Sequence, residues 1–219
     1  MRYAELPQHW QRIFALEWLS VCKGSKAIAA VITDENGNII SEGRNMTCER
    51  TVPNPAAAHA ETEAIQNLDT VRYPDKHAYT LYAGLEPCIM CMGTLVMGGI
   101  RRVVIAARDE FGGAMHLIGQ STFAARKGIR VTWLSDGLGD MQRAFQTVRE
   151  LLYNDDPEKL GRMLRDFSVH NGNGVRAAQM LVRSGRIVQP LDPDAAPEVF
   201  DALAESMENL KAGLQTDEA

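Results

Sequence analysis

The chain has 219 residues, 45% of them apolar, which is enough to bury one substantial core, and a formal charge of −5. No apolar run nears the ~20 residues that a membrane-spanning helix needs, and the opening Met-Arg-Tyr-Ala-Glu is too polar for a signal peptide, so a cytoplasmic protein is expected. The negative charge gathers in residues 192–219, where Asp192, Asp194, Glu198, Asp201, Glu205, Glu208, Asp217 and Glu218 face only Lys211. That disfavours general affinity for nucleic acid without excluding it, because the body is near neutral.

Residues 8–23 place Trp10, Ile13, Phe14, Glu17, Trp18 and Val21 at helical spacing between Pro7 and Gly24, which predicts an amphipathic first helix. A buried strand over 27–33 and a second over 39–42 flank Asn36-Gly37, a hairpin signal. A polar loop over 44–55 leads to a helix that carries His59 and Glu61 and runs to Leu68. Strands follow at 78–83, 102–106 and 129–134, with helices between them at 88–97 and 117–127. Strands alternating with helices predict a mixed or parallel sheet covered on both faces.

A helix over 139–153 shows the stripe Met141, Ala144, Phe145, Val148, Leu151 and Leu152. Asp156-Pro157 starts another, expected to end near Phe167, before a glycine- and asparagine-rich loop over 168–174, a helix over 176–183, an extended segment over 187–193 and a last helix over 198–211. The expected organisation is a core unit of residues 1–153 and a helical extension of residues 154–219.

Chemistry concentrates between His59-Ala60-Glu61 and Pro87-Cys88-Ile89-Met90-Cys91. A histidine and two cysteines make three zinc ligands, and catalytic zinc sites keep a fourth position open. Residues two apart on a helix diverge by roughly 200°, so His59 and Glu61 converge only at a first turn. Cys88 and Cys91, three apart, share a face at the start of the next helix. Glu61 is then a base beside the metal, able to take a proton from an attacking water and return it to a substrate nitrogen.

These residues resemble the cytidine deaminase-like superfamily of zinc deaminases, whose H-x-E…P-C-x-x-C pattern they reproduce. The likeness runs from the first helix to about Trp133 and is nearest to the branch of tRNA adenosine deaminases and guanine deaminases, through Glu42-Gly43-Arg44-Asn45, Glu86-Pro87-Cys88-Ile89-Met90-Cys91 and Arg102-Val103-Val104 leading to Asp109. It implies an α/β fold, a three-layer α-β-α sandwich with a five-stranded mixed sheet, one Zn2+ per subunit held by His59, Cys88 and Cys91, Glu61 as the catalytic acid/base, and Asn45 and Asp109 as substrate-binding residues. It also implies a homodimer or larger homo-oligomer, and a small-molecule nucleobase, nucleoside or nucleotide substrate, purines favoured. The alternative is the wobble adenosine of a tRNA. Ala27, Ala29 and Gly84 depart from the tRNA-editing pattern, which tends to have proline, glycine and threonine at these places.

Other readings of the residues stay open at this level. Cys88 and Cys91 could form a redox pair, and Cys22 or Cys48 could close a structural, noncatalytic zinc site. Glu63 could be a second pocket carboxylate, and His116 could touch substrate. The extension beyond Tyr153 is not explained by the resemblance.

Overall fold

The computed structural model describes residues 1–135 and 137–213. Asp217 and Glu218, part of the acidic tail and of the 154–219 extension, lie outside the described residues. Five strands, β1 (Ala29–Thr33), β2 (Ile39–Arg44), β3 (Thr80–Leu85), β4 (Arg102–Ala107) and β5 (Arg130–Trp133), form one sheet in the order β2-β1-β3-β4-β5. β1 is antiparallel to both neighbours, whereas β3, β4 and β5 run parallel, so the sheet is mixed as expected. The carboxyl ends of β2, β3 and β4 consequently share one edge, where open α/β sheets place their ligands.

Helices cover both faces. Alternate residues of β1 decide which: Ala29 and Val31 join a core with α1 (Gln8–Cys22), α5 (Leu138–Tyr153) and α7 (Ala196–Lys211), whereas Ala30 and Ile32 join α2 (Ala60–Gln66) and α3 (Ile89–Gly98). α7 inserts Phe200 edge-on against Phe14 of α1, with centroids 5.0 Å apart. The last helix is thus part of the hydrophobic core.

Two expected elements differ. The helix predicted over 117–127 is a 3-10 turn, Met115–Gln120, followed by a short α4, Thr122–Ala125, because Ser121 restarts the chain by accepting from the Ala124 amide at 3.3 Å. The loop predicted over 168–174 is helical: α6 runs from Pro157 to Arg183, with only Asn171 leaving helical dihedrals. Gly174 explains this. A Cβ there would meet the Asp140 carbonyl oxygen at 1.9 Å, so glycine serves close packing of α6 on α5, not a turn.

Glu17 of α1 is fully buried, and neither carboxyl oxygen has a well-formed hydrogen bond among the described residues. Gly84 makes the room: a Cβ on it would lie 2.0 Å from Glu17 Oε1, so glycine here and the buried acid go together. Burial pushes the Glu17 carboxyl well above the usual 4.5, only partly opposed by the Ala29 amide and Arg143. The folded state therefore keeps it protonated where the unfolded chain ionises it. Its contribution to stability is full below pH 4.5 and is lost as pH rises toward the folded value. Glu17→Met should match wild type in Tm near pH 4 and exceed it by several degrees at pH 7; parallel melting curves across that range would contradict this.

Candidate metal centre and substrate cavity

His59 is the N-cap of α2 and Cys88 the N-cap of α3, so both motifs sit at helix starts. Pro87 precedes the second start, and Cys91 lies one turn in, fully buried. Cys88 Sγ is 3.6 Å from His59 Nδ1 and 3.6 Å from Cys91 Sγ, and the three donor atoms lie within 4.8 Å of one another. A tetrahedral zinc with bonds of about 2.0–2.3 Å requires ligand edges of about 3.5–3.8 Å. The spacing and the donor chemistry both fit Zn2+, and these three residues are placed to hold one ion.

Neither candidate for a closed fourth ligand joins them. Cys48 is exposed and takes a contact from Arg149 Nη2 at 3.4 Å, and Cys22 packs against the core on the far face. Burial in that core pushes the Cys22 thiol up to about 11. Hydrogen bonding from Cys91 and His59 draws the Cys88 thiol down to about 3, whereas the bond to Cys88 and then burial push Cys91 up. The bond to Cys88 raises the His59 pKa.

Glu61 follows His59 by two residues in the first turn of α2 and is 3% exposed. Its Oε2 lies 3.3 Å from Cys91 Sγ, beside the donor set but outside it. Burial raises the Glu61 carboxyl to about 7, against the opposing effects of its own backbone amide and Cys91.

A cavity of 650 Å³ opens onto these residues. His59, Glu61 and Cys88 line it together with Asn45 and Asp109, which follow the carboxyl ends of β2 and β4. All expected site residues except fully buried Cys91 are thus brought to one cavity, and Cys91 reaches the same centre through Cys88. Asn45 is buried, and its Oδ1 accepts from Thr47 N at 3.1 Å and Thr47 Oγ1 at 2.7 Å. Asp109 Oδ1 accepts from Phe111 N at 3.2 Å and meets Arg143 Nη2 at 3.4 Å. Glu63 does not line the cavity, and His116 lines a neighbouring cleft with Arg108 and Trp133.

Several residues at this cavity carried no role in the sequence reading. Glu86 holds the loop after β4 by accepting from the Asp109 amide on Oε2 and the Met115 amide on Oε1, each at 3.2 Å. Arg143 of α5 is buried, donates to the Arg108 carbonyl at 2.6 Å, and lies 4.5 Å over the Phe167 ring of α6. Lys159, Arg162, Met163, Asp166 and Phe167 make α6 a wall of the cavity. Adjacent Glu86-Pro87 in the motif was the available signal for the first; for α6 the apolar pair Met163 and Phe167, at i and i+4, was the only one.

Comparison with known proteins agrees with this geometry. The family model for the cytidine and deoxycytidylate deaminase zinc-binding region matches residues 7–107. A tRNA-specific adenosine deaminase of Bacillus subtilis is 35% identical over 137 residues, covering 59% of this chain and 80% of that protein. A probable cytosine deaminase of Schizosaccharomyces pombe is 35% identical over 88 residues, 40% of this chain and 51% of that one, so the chain spans about half the length of some curated relatives it matches. A solved structure of NE0047 in complex with 2,6-diaminopurine superposes with a TM-score of 0.50 at 26% identity, covering 67% of this chain and 84% of that one. With the His-x-Glu and Pro-Cys-x-x-Cys pieces meeting at one centre, the chain belongs to the cytidine deaminase-like superfamily of zinc deaminases.

Proposed function

We propose that this protein is a zinc-dependent hydrolytic deaminase that replaces the exocyclic amine of a small nucleobase, nucleoside or nucleotide, a purine by preference, with a carbonyl and releases ammonia. The observation that carries this reading is the buried Glu61 carboxyl beside, but not within, a three-donor set at the floor of a walled cavity. The preference for purines draws on the likeness to a structure solved in complex with 2,6-diaminopurine.

Zinc held by His59, Cys88 and Cys91 would supply Lewis-acid activation of the water that attacks the ring carbon. Glu61 takes a proton from that water and delivers it to the adjacent ring nitrogen, then takes the remaining proton of the added hydroxyl as the carbonyl forms and passes it to the departing amine, which leaves as ammonia, so one carboxyl serves both transfers. Asn45 and Asp109 hold the base in the cavity, and Arg143 keeps Asp109 in place. The cavity walls exclude bulk water from the reacting atoms. In this reading residues 1–153 form the deaminase unit, and residues 154–219 are an extension that closes the cavity with α6. The exposed Ile89 and Met97 of α3 offer an apolar face for a homodimer.

The second reading, deamination of the wobble adenosine of a tRNA, is favoured by the Bacillus subtilis relative, which this chain covers over 80% of its length. Two observations oppose it: the net charge of −5, and α6 standing as a wall where a folded RNA would have to approach. Ammonia release from a panel of free bases, nucleosides and nucleotides, run beside a gel shift with bulk tRNA at two salt concentrations, separates the two. Turnover of a free purine with no salt-sensitive shift is expected; deamination confined to tRNA would overturn the small-molecule reading.

A further inference from the structure

The two halves of α6 are held by different means. Beyond Asn171, where the helix breaks, Ala177, Ala178 and Leu181 join the core shared with α1, α5 and α7. Before the break, residues 157–170 include Leu160, Met163, Leu164, Phe167 and Val169, and none of these belongs to either hydrophobic core of the described residues. Core burial, the usual reason for an amphipathic helix, therefore does not account for this half.

Its attachment runs instead to the loop after β4. His170 Nε2 lies 2.6 Å from Glu110 Oε1. Arg143, 4.5 Å over the Phe167 ring, donates to the Arg108 carbonyl at 2.6 Å and meets Asp109 Oδ1 at 3.4 Å. Both fastenings tie α6 to residues 108–110, the segment that brings Asp109 to the cavity. Phe167 is 9% exposed, Met163 one turn earlier is half-buried, and both line the cavity. An aromatic ring that lies outside both cores, is braced by a guanidinium and borders the same cavity as Glu61 is placed to receive a flat heteroaromatic ring.

We propose that Phe167, with Met163 beside it, is a specificity-determining residue of this site: its ring packs against the ring of the bound base, so that an apolar contact supplied by α6 sets a preference for two fused rings over one. Apolar contact grows with the area covered, and a purine presents more ring than a pyrimidine. This inference rests on the deaminase reading for the class of ligand, and adds to it the element that selects among bases.

The test is equilibrium binding to the zinc-loaded full chain, wild type and Phe167→Ala, with adenine, guanine, 2,6-diaminopurine and cytosine as probes. Base–aromatic contacts are worth about 5- to 150-fold in affinity by alanine substitution. The variant should therefore bind the preferred purine at least about fivefold more weakly and cytosine nearly as wild type does, and KM for ammonia release should rise with kcat within about threefold. A smaller loss for the purine overturns the proposal, as does equal weakening of all four probes or a fall in kcat alone, either of which marks a purely structural residue. Failure of wild type to bind any probe overturns it too. If Phe167→Ala does not fold, a crystal structure of wild type with its tightest-binding probe decides: base atoms within about 4.5 Å of the Phe167 ring support the proposal, and a base farther away overturns it. Ammonia release from the same samples keeps the two claims apart: selective loss of purine binding without ammonia from wild type sinks the deaminase reading alone, and ammonia from wild type without that loss sinks the role of Phe167 alone.

Discussion

Replacing Glu61 by Gln is expected to lower ammonia release by at least about 10³-fold while leaving zinc content and Tm near wild type. General acid/base groups contribute about 10²–10⁴-fold each to a step, and here one carboxyl is asked to move a proton twice. Glutamine fills the same volume and keeps an oxygen near Cys91 Sγ, which Glu61 meets at 3.3 Å, so the donor set should stand. Metal analysis by mass spectrometry beside a coupled ammonia assay checks both halves. Turnover that survives the change within tenfold would remove Glu61 from the chemistry, and zinc lost with the carboxylate would make it a ligand instead.

Cys91→Ala should have the other large effect, loss of bound zinc and with it all measurable turnover. Cys91 is fully buried, with Cys88 Sγ and Thr62 Oγ1 each at 3.6 Å, so no outside thiol can take its place. Two donors, His59 and Cys88, would remain, fewer than the three that catalytic zinc sites keep. Because metal that binds the folded state stabilises it, the zinc-loaded wild type should also melt higher than the variant. Zinc retained at one per chain after dialysis against a chelator would show that Cys91 is not a ligand.

The metal centre was legible because its constraints are local. Cys88 and Cys91 are three residues apart at a helix start, His59 and Glu61 meet only in a first turn, and Pro87 marks where α3 begins. The strands were legible in the same way, from β-branched runs such as Val103, Val104 and Ile105 in β4. What failed was tertiary. Residues 171–174 carry loop composition, yet the helix breaks only at Asn171 and resumes, because α6 needs a glycine at position 174 to approach Asp140 of α5. In α5 the apolar stripe was read and the polar one ignored, although Gln142, Gln146 and Glu150 recur every four residues and all three are buried. A polar stripe at helical spacing reads as solvent-facing until its packing partner is known, here Lys26 and Ala27 before β1 and Gly84 of β3.

The 650 Å³ cavity belongs to this second kind of information. Its floor comes from motifs within residues 59–91, but its walls come from Lys26, from the loop after β4 pinned by Glu86, and from α5 and α6, which lie beyond the residues the family model matches. The metal donors thus come from residues 59–91, whereas α5 and α6, which wall the cavity, come from beyond residue 107.

Ammonia release should depend on bound metal. Protein stripped by chelator and then titrated with Zn2+ should recover release from its preferred base, nucleoside or nucleotide in proportion to bound metal, saturating at one ion per chain. Full release by the metal-free protein, or none from any member of the panel once one zinc is bound, would contradict it.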